Sequence, residues 1–307
     1  MIKTDKVANK TAHVAQLMRW ATYASVGVAI VLIVTKVIAW ILTDSVSLLS
    51  TLIDSLLDAA ASVINLIAVR HALQPADDEH RFGHGKAEPL AGLAQSAFIV
   101  GSALFLIFES IERLAHPTMI VNPEIGYGVM VFSILVTVGL VFFQSYVVRK
   151  SGSLAIGADS LHYQTDVMIN GSVLISIFLA SELGITLADP IFAIGIALFI
   201  SYTAWRIGTE ALNILMDHEL PDDDRRMIVE IARAQNGVEG VHDLRTRSSG
   251  SRVFIQMHVE MDGDMPLRRA HEIADIVELE VSAAYPNSEV IVHQDPEGIE
   301  EVEREKL

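Results

Sequence analysis

A chain of 307 residues with 51% hydrophobic side chains and a mean hydropathy of +0.41 is too apolar for an ordinary soluble domain. Cysteine is absent, which excludes disulfides, thiolate metal sites and cysteine nucleophiles. The formal net charge is -16, and from Asn213 onward 22 acidic residues face 10 basic ones, a balance that argues against nucleic acid and against docking on anionic lipid.

In chain order, the opening MIKTDKVANKTAHVAQLMRW is polar for too long to be a cleaved signal peptide. Six apolar segments follow, at about 20–42, 46–71, 89–113, 124–148, 153–181 and 188–212, each near the ~20 residues a bilayer demands. They are separated by LTDSVS, by HPTMIVNPEIG with its two prolines, and by SELGITLADP, among other breaks. Lys3, Lys6, Lys10 and Arg19 lie in the N-terminal arm, and Arg70, Arg81 and Lys86 lie in the 2–3 connection. Arg149 and Lys150 lie in the 4–5 connection, whereas the opposite loops carry only Arg113. The asymmetry predicts that both termini are cytoplasmic. Lys36 and Arg206, inside spans, read as snorkelling cations.

Residues 213–307 read as a soluble domain. DDDRRMIVEIARAQN is an amphipathic helix closed by Gly237, and VHDLRTRSSG and SRVFIQMHVEMD alternate like strands around a Ser-Gly turn. LRRAHEIADIVELEVSAAYP is a second helix and SEVIVHQDP a last strand. The expected architecture is a polytopic α-helical membrane protein, with six transmembrane helices in residues 1–212 and a C-terminal cytoplasmic α+β domain of order α-β-β-α-β.

Asp54 and Asp58 interrupt the second apolar segment. A carboxylate at mid-bilayer costs about 2.5–3.5 kcal/mol on the insertion scale, and such residues mark substrate or ion pathways. Four residues apart, the two share a helix face that Ser62 and Asn65 extend. The fifth segment repeats the device with Asp159, His162, Asp166 and Asn170. Two helices, each with an i/i+4 ligand pair, enclose a four-ligand site; Asp54, Asp58, His162 and Asp166 suit a tetrahedral divalent ion such as Zn²⁺. Helix-packing polar residues are the bland alternative. In the 2–3 loop, Asp77, His80 and His84 have ligand-compatible spacing. In the tail, His242, His258 and His293 sit on the three predicted strands, His271 lies on the second helix, and Asp295 shares a strand face with His293. His13, His71, His116 and His218 are left over and read as interfacial or surface residues.

D-x3-D in the second span, H-x3-D in the fifth, the FGHGKAE stretch and the α-β-β-α-β tail together resemble the cation diffusion facilitators. The resemblance covers nearly the whole chain and implies a bacterial inner-membrane homodimer exporting Zn²⁺, or Cd²⁺ or Fe²⁺, with protons as counter-substrate. It implies a transport site of Asp54, Asp58, His162 and Asp166, and a loop site of Asp77, His80 and His84. It also implies a metallochaperone-like tail that holds the dimer through a binuclear site of His242, His258, His271, His293 and Asp295. A Lys86–Asp217 salt bridge between the membrane and cytoplasmic parts is a further implication. The expected activity is transport by alternating access, not catalysis. Two rival readings are an intramembrane aspartyl protease, which the four ligand-type residues with their histidine and the IGAD sequence do not fit, and a metal-gated channel or sensor, which shares the ligands but not the proton coupling.

Overall fold

A computed structural model describes residues 2–43, 46–115, 124–183, 187–250 and 252–298. The elements are α1 (Ile2–Thr43), α2 (Val46–Ala72), α3 (Ala87–Ala115), α4 (Glu124–Ser151), α5 (Leu154–Leu183), α6 (Ala188–Leu215), α7 (Asp222–Arg233), β1 (Gly240–Ser249), β2 (Arg252–Met261), α8 (Leu267–Ala284) and β3 (Ser288–Pro296). They form two compact units, Met1–Leu212 and Asn213–Leu307.

In the first unit, α1 lies against α2 and α4, while α5 lies against α3 and α4. Four helical stretches among the described residues are long and apolar enough to cross a membrane: Ala12–Leu42, Ala87–Glu112, Tyr127–Ser151 and Pro190–Leu215. The helices α2 and α5, with 27 and 30 residues, are also long enough to cross, but they carry the polar stripes. Those stripes point inward. Ser55, Ser62 and Asn65 of α2 and Asp159, Ser160, His162 and Thr165 of α5 are buried, whereas Leu56, Leu57, Ile64 and Ile67 are exposed. Polar groups inside and apolar groups outside is the arrangement a hydrocarbon solvent imposes on a bundle.

Small side chains let the helices approach closely. Ala103 of α3 and Ala197 and Ala204 of α6 are fully buried in one cluster with Ile99, Leu161 and Ile200. Gly208 of α6 makes the tightest of these approaches, since a methyl group there would stand 2.7 Å from Ser96 Oγ. Helix α1 begins well before the predicted span, and at 42 residues it is about 63 Å long, twice the hydrocarbon thickness. The Lys36 ammonium donates to the Thr51 carbonyl at 3.0 Å and to Ser55 Oγ at 2.6 Å, so it ties α1 to α2.

The second unit has the predicted α-β-β-α-β order, with a sheet of strand order β1-β2-β3. Strands β1 and β2 are antiparallel, and β3 runs parallel to β2 because α8 carries the chain back. Ile228 and Ala232 of α7 and Ile273, Ala274, Val277 and Val281 of α8 pack on Val241, Ile255, Met257, Val259 and Val292 of the sheet. Alternation along the strands puts the histidines on the other face. Register aligns His242 with His258 and His258 with His293, so three imidazoles form one row across three strands.

Candidate metal centres

The membrane unit brings α2 and α5 together at Asp58, His162 and Asp166, whose ligand atoms all lie within 4.8 Å of one another. His162 Nε2 is 2.9 Å from Asp58 Oδ1 and 4.0 Å from Asp166 Oδ2. Donors of a four-coordinate ion with bonds of about 2.0–2.2 Å stand roughly 3.3–3.6 Å apart, and these two separations straddle that range. Asp54 stands one helical turn earlier on α2, but its side chain lies outside the described residues, as does His116.

One turn along α5, Asp159 is fully buried and gathers donors from four other helices. Ser25 of α1 donates through Oγ at 2.6 Å, Gln144 of α4 through Nε2 at 2.6 Å, Gln95 of α3 through Nε2 at 3.2 Å and Ser62 of α2 through Oγ at 3.5 Å. Tyr163 closes the network: its hydroxyl is 2.9 Å from Ser62 Oγ and donates to the Ser25 carbonyl at 3.3 Å. Sequence reasoning placed Asp159 on the polar stripe but missed this role. The available signal was Gln95 and Gln144, two carboxamides inside apolar helices that need partners there.

The loop between α2 and α3 brings Asp77, His80 and His84 within the same 4.8 Å limit. Asp77 organises the turn by accepting the backbone N–H groups of Glu79 at 3.0 Å and His80 at 2.6 Å. The His80 amide above all holds the Asp77 carboxyl below the ordinary carboxylate range. Asp77 Oδ1 is 3.3 Å from His80 Nδ1, and its Oδ2 is 3.3 Å from His84 Nε2.

In the tail unit, Asp295 is the common partner of the histidine row. Its oxygens stand 2.7 Å from His258 Nδ1, 3.5 Å from His242 Nε2 and 3.2 Å from His293 Nε2. His242, His258 and Asp295 form the tight group, with the His293 ring 4.6 Å from that of His258. Glu260, which the sequence reading did not include, stands 2.9 Å from His242 Nδ1; the signal was its position two residues after His258, on the same strand face. Asp243, in a bulge of β1 with φ +41°, turns a carboxylate to 3.8 Å from His258 Nε2. His271 does not join: it is largely exposed on α8, 3.7 Å from Asp275. Asp217 accepts from Arg247 Nη1 at 3.4 Å within the tail unit.

Residues 22–216 match the cation efflux transmembrane domain, and residues 220–297 match the cation efflux protein cytoplasmic domain. The chain belongs to the cation efflux family. It is 52% identical over 281 residues to the cation-efflux pump FieF of Salmonella paratyphi A, covering 92% of this chain and 93% of that one. It is 51% identical over the same length to FieF of Salmonella arizonae. Among solved structures, a chain of CzrB, described as a candidate zinc transporter, is 33% identical over 26% of this chain and 99% of its own, with TM-score 0.25. A nickel form of the MamM CTD carrying E289H is 28% identical over 25% of this chain and 98% of its own, with TM-score 0.24. Membership makes the protein a membrane transporter that exports cations, and not an enzyme.

Proposed function

We propose that this cation-efflux protein is a Zn²⁺/H⁺ antiporter, working by alternating access around Asp54, Asp58, His162 and Asp166. The observation that carries the reading is the meeting of Asp58, His162 and Asp166, from two helices, inside a bundle whose outer surface is apolar. Oxygen and imidazole donors in this ratio suit Zn²⁺, with Cd²⁺ and Fe²⁺ as secondary cargo. Proton coupling follows from the chemistry of the donors. Carboxylate and imidazole bind metal only when deprotonated, so loading the site releases protons and protonation expels the metal. Imidazole changes charge near neutral pH, which makes His162 the natural carrier of the exchanged proton.

In this reading six helices span a bacterial inner membrane with both termini cytoplasmic, and residues 213–307 form a metal-binding dimerisation domain. The donors at Asp77, His80 and His84 fit a second Zn²⁺. The tail fits a binuclear centre: His242, His258, His293 and Asp295 supply one side, and the exposed His271 of a second copy completes it, which makes the functional unit a homodimer.

The test is Zn²⁺ flux into sealed proteoliposomes, with and without a pH gradient, for the wild type, Asp54→Ala and Asp166→Ala. Gradient-driven uptake abolished by both substitutions is the expected result. Flux indifferent to the gradient would replace the antiporter by a metal-gated channel. Flux surviving both substitutions would mean that the membrane carboxylates only pack helices.

A further inference from the structure

His242 has a different carboxylate beside each of its two ring nitrogens. Nε2 stands 3.5 Å from Asp295 Oδ2, the separation of two donors to one ion. Nδ1 is buried and stands 2.9 Å from Glu260 Oε1. That distance suits a hydrogen bond, although the oxygen stands out of line with the ring N–H. The last torsion of a glutamate side chain is broad, so bringing the two into line costs little. Strand register explains how Glu260 reaches this place. On the histidine face it is directly opposite Gly240 of β1 and Asp295 of β3. Carboxylates directly opposite each other repel, and Glu260 lies over Gly240. It fits there because residue 240 has no side chain: a methyl group would collide with Glu260 Oε2 and stand 2.8 Å from its Cδ. Gly240 is not among the glycines with positive φ, so what it supplies is space rather than conformational freedom.

We propose that Glu260 is a positioning residue of the tail metal centre: it holds the His242 proton on Nδ1, so that Nε2 presents its lone pair to the ion, and Gly240 is the space that lets it do so. The inference rests on the tail reading given above and deepens it. A neutral imidazole carries its proton on one nitrogen and its lone pair on the other. With the proton on Nε2, His242 could only donate to Asp295 and would offer the ion nothing. A carboxylate behind a metal-bound histidine settles that choice, fixes the ring orientation and raises the basicity of the ligating nitrogen. Glu260 acts through His242 and is not itself a donor, because the ring stands between its oxygen and Asp295. The support matters most at this histidine. His242 is on β1, an edge of the sheet, with a neighbouring strand on one side only.

The experiment measures Zn²⁺ affinity of the full chain in detergent by competition with a chelator, with Asp58→Ala and His84→Ala in the background to silence the other two clusters. Glu260→Ala should weaken Zn²⁺ at the tail by about tenfold or more. Glu260→Gln, whose carboxamide oxygen still accepts from Nδ1–H, should recover part of that loss. Gly240→Ala pushes the carboxylate aside without removing it, so it should also weaken binding, yet cost nothing further once Glu260→Ala is present. With Co²⁺ alone as the probe, the d–d absorption of the saturated tail should keep its position and intensity in Glu260→Gln, because the donors are unchanged. A shifted band would make Glu260 a ligand and overturn the positioning role. Losses that add in the Gly240→Ala, Glu260→Ala double variant would overturn the link between the two positions. Unchanged Zn²⁺ affinity in Glu260→Ala, with binding still weakened by His242→Ala, would overturn the inference and leave the tail centre standing. Binding that survives His258→Ala undiminished would instead remove the tail centre itself, and the inference with it.

Discussion

Removing the Asp159 carboxylate should loosen five helices at once, and the size of the effect can be worked from its partners. In the alanine variant, Ser25 Oγ, Gln144 Nε2 and Gln95 Nε2 lose acceptors now at 2.6, 2.6 and 3.2 Å. Stranding a buried donor in water-excluded protein costs about 1–3 kcal/mol. Interhelical hydrogen bonds measured inside membranes are weaker, roughly 0.6 kcal/mol on average and up to about 1.7. Three of them, two very short and all to a carboxylate, place Asp159→Ala at about 2–5 kcal/mol. Asp159→Asn preserves shape and one acceptor oxygen but turns an NH₂ toward the remaining donors, so it should fall between alanine and wild type. The assay is unfolding in mixed micelles of mild detergent and dodecyl sulfate, followed by the three tryptophans. Because His162 is three residues along the same helix, Zn²⁺ binding at the Asp58–His162–Asp166 group should weaken as well, with loop and tail binding unchanged. An alanine variant within ~0.5 kcal/mol of wild type, the range of an ordinary surface substitution, would refute the view that this carboxylate organises the bundle.

Two further outcomes follow from the loop and the tail. A carboxyl held low in the folded state, as Asp77 is by the His80 amide, stabilises its turn above the ordinary carboxylate value and loses that contribution as pH falls through the lower folded value; hydrogen-exchange protection of the Glu79 and His80 amides should therefore be constant from about pH 8 to pH 5 and fall only below about pH 4, and a loss already near neutrality would contradict the assignment. Gly237 has φ +98°, and an added methyl would stand 2.6 Å from Ile273 Cδ1 in the tail core, so Gly237→Ala should destabilise the tail by about 1–3 kcal/mol, read as a lower thermal transition of that unit; an unchanged transition would show that the core yields freely there.

Local periodicity made the tail readable. SRVFIQMHVEMD alternates cleanly enough to predict β2, and a Ser-Gly pair predicts the hairpin before it. The histidine row was only half legible. That His242, His258 and His293 each lie on a strand follows from alternation, but their alignment depends on the parallel pairing of β2 with β3, which α8 sets across 26 intervening residues between Met261 and Ser288. In the membrane unit, Asp58, His162 and Asp166 announce themselves because a charge in an apolar run is expensive. Asp159 was equally visible, yet its purpose lies in Ser25, Gln95 and Gln144, partners on three separate helices that no spacing rule connects. The acceptors of Lys36 were hidden for the same reason: Thr51 and Ser55 belong to the next helix.

The three clusters use the same side chains but differ in what holds their donors apart. In the tail, His242, His258 and His293 sit on neighbouring strands of one hydrogen-bonded sheet, with ring separations of 5.3 and 4.6 Å. The strand spacing, about 4.8 Å, is set by backbone hydrogen bonds and changes little without breaking the sheet. Such a row suits an ion that stays. Asp58 and His162 are carried by different helices and meet through their side chains, with no backbone hydrogen bond joining the two helices among the described residues. Helices packed through small residues slide and rotate at little enthalpic cost compared with parting a strand pair. A shift of α2 against α5 by about 1–2 Å, of the order seen at helix interfaces, would open the 2.9 Å separation between His162 Nε2 and Asp58 Oδ1; Asp166, on the same helix as His162, would move with it, so the adjustable edge of this group is the one to Asp58. The donor set alone therefore does not distinguish cargo from resident metal. The distinction lies in whether the ligands belong to one rigid element or to two that can part, and by that measure the α2–α5 cluster is the one that fits the proposed role of a site that releases its ion.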